Sequence, residues 1–430
     1  MITVAGNTNP IQNTTHKVVL PFYVFASVSF FISVVLLLFS ADAFTTHHFH
    51  PHTLAITHSM ALGWGTMIIL GASHQLVPVL IESRLESNVL ASLSFYFAAS
   101  GIPMLVWSFY QFNFGIIAQT GALLINAAII VYLINISASI VRSRKTNVHA
   151  IYVLTAGIWL LTTTVIGFLL LLNFKYNFLA KDSLHYLSLH AHIGIIGWFL
   201  LLVIGVGSRL IPMFMISKYD NVKLLWVVFL FMNAGIIFFI FIFFMAVSIA
   251  WYLLPVFTIL AALFLFGRFC VLAYKKRIRK QIDAPMKISL LSVLMMALPV
   301  LLILIMICLL VLSGNSSRLV LTYGFSVFFG WLTAIILGMT FKTLPFIIWN
   351  KIYHDKAGLG RTPNPKNLFS EKVFNVMGFF YLPGFLFFVA GVLISNLIIL
   401  QTGAIFLLIT AFFYNLNVFK MLVHKPDSNG

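Results

Sequence analysis

The sequence predicts an all-α integral membrane protein: one domain, residues 1–430, of about 12 transmembrane helices in three pseudo-equivalent four-helix units. Three observations carry this expectation. Hydrophobic residues make up 61% of the chain and charged residues 8%, whereas a soluble domain carries about 25% charged residues. Apolar runs of the roughly 20 residues needed to cross a bilayer recur about a dozen times. One stretch of sequence is written three times at a period near 133 residues.

The runs lie at 18–40, 53–81, 88–111, 114–140, 149–173, 184–214, 222–246, 249–273, 287–312, 318–348, 371–394 and 397–420. They are continuous rather than alternating, which selects helices over a β-barrel. The first 17 residues are polar and the first run is long enough to span, so no cleavable signal peptide is expected. Cys270 and Cys308 fall inside predicted spans and suggest neither a disulfide framework nor a paired-cysteine metal site.

The net charge of +17 is distributed as a topology signal rather than as a nucleic-acid surface. Arg142, Arg144 and Lys145 follow span 4. Arg268, Lys275, Lys276, Arg277, Arg279 and Lys280 follow span 8. Lys351, Lys356, Arg361 and Lys366 follow span 10. Basic residues favour the cytoplasmic side, so both termini are expected there, in the inner (plasma) membrane, with the lipid bilayer as the evident partner.

The repeat aligns His58 with His192, Gly63 with Gly197, Trp64 with Trp198, Gly71 with Gly205 and Pro78 with Pro212, all at an offset of 134. A third copy keeps Gly330, Trp331, Gly338 and Pro345. One period holds four spans, which gives repeat units at about 18–140, 149–273 and 287–420, with spans 2, 6 and 10 as equivalents. The glycines suit close helix approach. Gln75, Arg209 and Lys342, near the cytoplasmic exits, read as groups snorkelling to the interface.

His58, His190 and His192 are candidate cofactor ligands, because histidine inside a span is costly and faces a bundle interior. Helix residues i and i+2 point about 200° apart, so His190 and His192 are expected to serve opposite sides. Recurrence favours His58 and His192 as the two axial ligands of a haem, with His190 facing a second centre or tuning the first. His47, His48, His50 and His52 crowd the outer entrance to span 2 and form a candidate copper site. A solvated loop that binds metal adventitiously is the competing reading. His74 lies about 24 Å further along span 2 than His58 and cannot share its centre. His149, His354 and His424 look cytoplasmic, and His185 lies near the outer mouth of span 6.

On these residues the chain resembles the catalytic subunit I of haem–copper oxidases and nitric oxide reductases. "HSMALGW" at 58–64 and "HAHIGIIGW" at 190–198 are similar to that family's His-x-His stretch running into Gly-Trp. The resemblance implies haem near the outer face and respiratory or nitrogen-oxide partner subunits. The ligand set is reduced: span 10 carries Tyr323 and Phe325 where the family has its histidine pair, and span 7 has no copper-binding histidines. The full set for oxygen reduction is therefore not present. Haem- and copper-containing membrane proteins of the NnrS type are a looser match. A transporter, or a non-catalytic accessory subunit that kept the fold without redox chemistry, is the alternative reading.

Overall fold

The computed structural model describes residues 15–143, 147–245, 247–278, 280–312, 317–354 and 362–425. Within them lie 12 helices long and apolar enough to cross a membrane: α1 His16–Phe39, α2 Pro51–Leu80, α3 Asn88–Tyr110, α4 Ile116–Ser143, α5 Val148–Tyr176, α6 Leu187–Met215, α7 Val222–Met245, α8 Ile249–Lys275, α9 Ala284–Val311, α10 Ser317–Tyr353, α11 Glu371–Ile394 and α12 Leu397–Leu422. This is an all-α membrane protein, with no strand among the described residues. The predicted charges at Arg144, Lys145, Arg279, Lys356 and Arg361, and both chain ends, lie outside the described residues.

The apolar runs form helices because their backbone polar groups have no partner in lipid except one another. Polar side chains set where they begin. Pro51 occupies the first turn of α2, and His50 Nδ1 accepts from His52 N at 3.3 Å. Asn147 caps α5, accepting from His149 N at 2.8 Å, and Asp283 caps α9, accepting from Met286 N at 3.2 Å. Two caps are held by a neighbouring helix as well. Asn135 of α4 bonds both backbone groups of Ser87 at 2.8 and 2.9 Å, and Asn417 of α12 does the same to Ser370 at 2.9 and 3.0 Å.

Burial separates three helices from the rest. In α2, α6 and α10, 72–83% of the most apolar stretch is buried, against 28–50% in the other nine. The nine form the periphery, where side chains such as Phe264 and Phe379 are largely exposed. Asn415 of α12 donates to Ser27 O of α1 at 3.0 Å, so the last helix packs on the first.

The three inner helices share a local distortion. Ser59–Thr66, Ile193–Leu200 and Ser326–Leu332 are π-helical, at matching places in the sequence repeat. Such widened turns are rare and often mark functional sites. Hydrogen bonds cross between the inner helices at these turns. Trp64 Nε1 donates to Thr333 Oγ1 at 3.1 Å and Trp198 Nε1 donates to Thr66 Oγ1 at 3.0 Å, linking α2 to α10 and α6 to α2.

The recurring glycines have one explanation. A methyl at Gly71 would sit 2.6 Å from Phe22 Cβ, and methyls at Gly205 and Gly338 would meet Tyr152 and Ser289. Each inner helix thus meets the outer helix that precedes it, through α1, α5 and α9, at a point with room only for hydrogen. Snorkelling at the exits holds only in part. Arg209 is exposed and Gln75 half-buried, but Lys342 is buried and ion-paired with Asp283. The ammonium stays inside because a carboxylate reaches it from the start of α9.

Candidate functional site

A cavity of about 700 Å³ runs between the inner helices and their neighbours. His58, His190 and His192 all line it. No Asp, Glu, Lys or Arg is among its described lining residues. It lies within the usual size range of cofactor pockets, about 300–1,000 Å³.

His58 is the last residue before the π-turn of α2, and His192 holds the same place in α6. His58 Nδ1 donates to Leu54 O at 2.8 Å and His192 Nδ1 to Ser188 O at 2.7 Å, in each case the carbonyl four residues back. His190 Nδ1 donates across to Thr163 O of α5 at 3.0 Å. A carbonyl can only accept, so these bonds place the proton on Nδ1 in all three neutral rings. Each Nε2 is left with its lone pair, the form in which imidazole binds iron.

The pairing differs from the one the repeat suggested. His58 faces His190, with ring centroids 6.3 Å apart and planes 18° apart. His192 lies instead beside Tyr323 of α10 at 5.8 Å and Phe239 of α7 at 5.2 Å. The physical reason is the sense of packing. Position 58 of α2 meets position 190 of α6, and position 192 of α6 meets position 323 of α10. Repeat-equivalent residues in a head-to-tail arrangement face the next helix and do not face each other. The opposed directions expected of His190 and His192 agree with this placement.

Neighbouring side chains fix the pair. Phe109 of α3 packs on the His58 ring at 4.3 Å. Gly167 of α5 leaves room for His190, since a methyl there would lie 2.8 Å from its Cε1. Two further cavity residues, Thr53 and His48, carry buried polar atoms, Oγ1 and Nδ1, with no hydrogen-bond partner among the described residues. Orphans of this kind are costly unless a ligand satisfies them. Sequence reasoning missed Thr53, Gly167 and the part played by Tyr323. Only Tyr323 carried a signal, its place 133 residues after His190.

The four outer histidines have different settings. His47 Nδ1 accepts from Phe49 N at 3.2 Å and His50 Nδ1 caps α2, so two ring nitrogens are taken by the backbone. His52 stacks on Tyr110 at 4.2 Å, and His47 lies 4.0 Å from His48. No group of three or more His, Cys, Asp or Glu among the described residues is arranged to hold a metal ion. Of the four, only His48 lines the cavity. Burial first, and then the adjacent His47, hold its pKa below the ordinary 6.5.

The other histidines have structural settings. His149 is buried, not peripheral, and its Nδ1 donates to Gly205 O at 2.9 Å, tying α5 to α6. His74 is buried between Phe22 and Tyr132. His185 is exposed and packs on Tyr186 and Phe243. Cys270 and Cys308 are free thiols.

Comparison of the chain with known protein families and with curated proteins gives no match.

Proposed function

We propose that the chain is a haem-binding membrane protein whose iron is held by His58 of α2 and His190 of α6. The observation that carries this reading is their spacing. An iron held by both rings would separate their centroids by about 6.3 Å, from a metal–imidazole bond of about 2.0–2.1 Å and about 1.1 Å from nitrogen to ring centre. The rings stand at 6.3 Å with both Nε2 lone pairs available.

The surroundings support the same cofactor. The cavity is apolar and uncharged, which suits the faces of a porphyrin ring, and Thr53 Oγ1 and His48 Nδ1 are buried polar atoms left for a ligand on its wall. A bound haem supplies reversible one-electron chemistry at iron. The protein's part is to hold both imidazoles neutral through the Leu54 and Thr163 carbonyls, to fix their rings with Phe109 and the space at Gly167, and to surround the pair with apolar wall.

The three π-turns, the tryptophan–threonine bonds and the recurring glycine contacts support three related four-helix units, as in the subunit I family that the sequence resembles. The loop charges support a plasma-membrane orientation with the histidine-rich loop outside. His58 and His190 would both hold the iron, so the chemistry the group would supply here is electron transfer rather than gas reduction.

The test is spectroscopic. Protein expressed with ample haem and purified in detergent should show a Soret band and a pyridine haemochrome. His58→Ala and His190→Ala should each abolish the low-spin spectrum. A colourless wild type, or a spectrum indifferent to both substitutions, would overturn the reading.

A further inference from the structure

The cavity holds a second pair that the haem reading leaves unused. His192 stands in α6 where His58 stands in α2, and Tyr323 stands in α10 where His190 stands in α6, at offsets of 134 and 133. Geometry follows sequence. The His192 and Tyr323 rings are 5.8 Å apart with planes at 21°, against 6.3 Å and 18° for the first pair.

Exchanging an imidazole for a phenol changes what the pair can hold. His192 offers an acceptor, because its Nδ1–H is already given to Ser188 O. The Tyr323 hydroxyl is both donor and acceptor. Two groups are too few to hold a bare metal ion, and no third His, Cys, Asp or Glu among the described residues joins them. A hydroxyl-bearing molecule matches both, donating to His192 and accepting from Tyr323.

The wall narrows the class further. Phe239 packs on His192 and Tyr252 on Phe239, and the same cavity is lined by Val256, Ile303 and Met306 and reaches Leu310, which is 46% exposed on the peripheral face of α9. The lining is uncharged among the described residues, so an ionic ligand would be desolvated without compensation. An apolar path to the lipid-facing surface, ending on one acceptor and one donor, fits a neutral molecule dissolved in the membrane. A diatomic gas needs neither the polar pair nor so long a wall.

We infer that the His192–Tyr323 pair binds the head group of a lipid-soluble quinol. A quinol hydroxyl donates to His192 Nε2, and the Tyr323 hydroxyl donates to a ring oxygen. The tail lies along the α8–α9 wall. This assignment does not depend on iron at the first pair.

The test uses the full-length protein in detergent, titrated anaerobically with the reduced quinol forms of short-chain ubiquinone and menaquinone analogues and followed by quenching of intrinsic fluorescence. Saturable binding is expected, weakened about tenfold by Tyr323→Phe and by His192→Ala, the loss of one hydrogen bond to a buried polar ligand. The haem spectrum should be unchanged in both variants. Equal affinity in wild type and both variants would overturn the inference. So would loss of the low-spin spectrum in His192→Ala, which would make His192 an iron ligand. Variant-sensitive quinol binding in a protein without haem would sustain this inference and end the haem proposal.

Discussion

At the scale of the residue, the histidines of the cavity are prepared by their own backbone. His58 and His192 each give Nδ1–H to the carbonyl one turn back, which fixes ring orientation and tautomer without a second side chain. Near-parallel imidazole planes give ferric haem a rhombic low-spin EPR signal, whereas perpendicular planes give a single large-g feature. The 18° angle between His58 and His190 predicts the rhombic form. Gly167→Ala should leave α5 helical but displace His190, lowering haem retained after gel filtration about tenfold, a loss of roughly 1–2 kcal/mol from overpacking. The outer loop gives a pH prediction. His48 and His50 have depressed pKa values, from burial first and then from His47 and His52, with Asp42 opposing at His50. Their folded state favours the neutral ring, so the unfolded chain binds protons first. The stability they add is complete above 6.5, the ordinary value, and is lost as pH falls through the lower folded value. Thermal melting between about pH 7.5 and 5 should show this loss, and His48→Gln should reduce it.

At the scale of the element, the helices were legible because lipid makes the signal one-dimensional. A segment either is or is not apolar for long enough, and an end differs from expectation by a few residues where a cap such as Asp283 acts. Pairing between elements was less legible. A repeat says that His58 and His192 occupy equivalent places, but only packing says which helix each place faces. The π-turns were not legible at all, since "SMALGWGT" carries no pattern that separates a five-residue hydrogen-bond step from a four-residue one. Packing also makes the glycines unequal. Gly71→Ala, against Phe22 Cβ at 2.6 Å, should cost about 1–3 kcal/mol by thermal or steric-trapping unfolding in detergent. Gly267 has nothing within 4 Å, so Gly267→Ala should be neutral or mildly stabilising, by no more than about 1 kcal/mol.

At the scale of the whole molecule, one part-buried ion pair joins the start of α9 to the inner helix α10. Removing the carboxylate strands a buried ammonium. Asp283→Asn, which can still cap α9, should therefore cost about 3–5 kcal/mol, and the double variant with Lys342→Met should recover most of it. Recovery in the same unfolding assay separates the charge effect from a capping effect. The sequence hid this pair because Asp283 and Lys342 are 59 residues apart and Lys342 looked like a group snorkelling to the interface.

The tryptophan–threonine bonds leave one join unlike the others. Following the repeat, Trp331 of α10 would look to position 200 of α6 for its acceptor, and that position is leucine. Three planks are thus held by two dowels, and the undowelled edge runs beside His192 and Tyr323. Breathing of the inner trio is expected to start there: amide deuteration should advance fastest along the facing edges of α6 and α10, and Leu200→Thr should slow it.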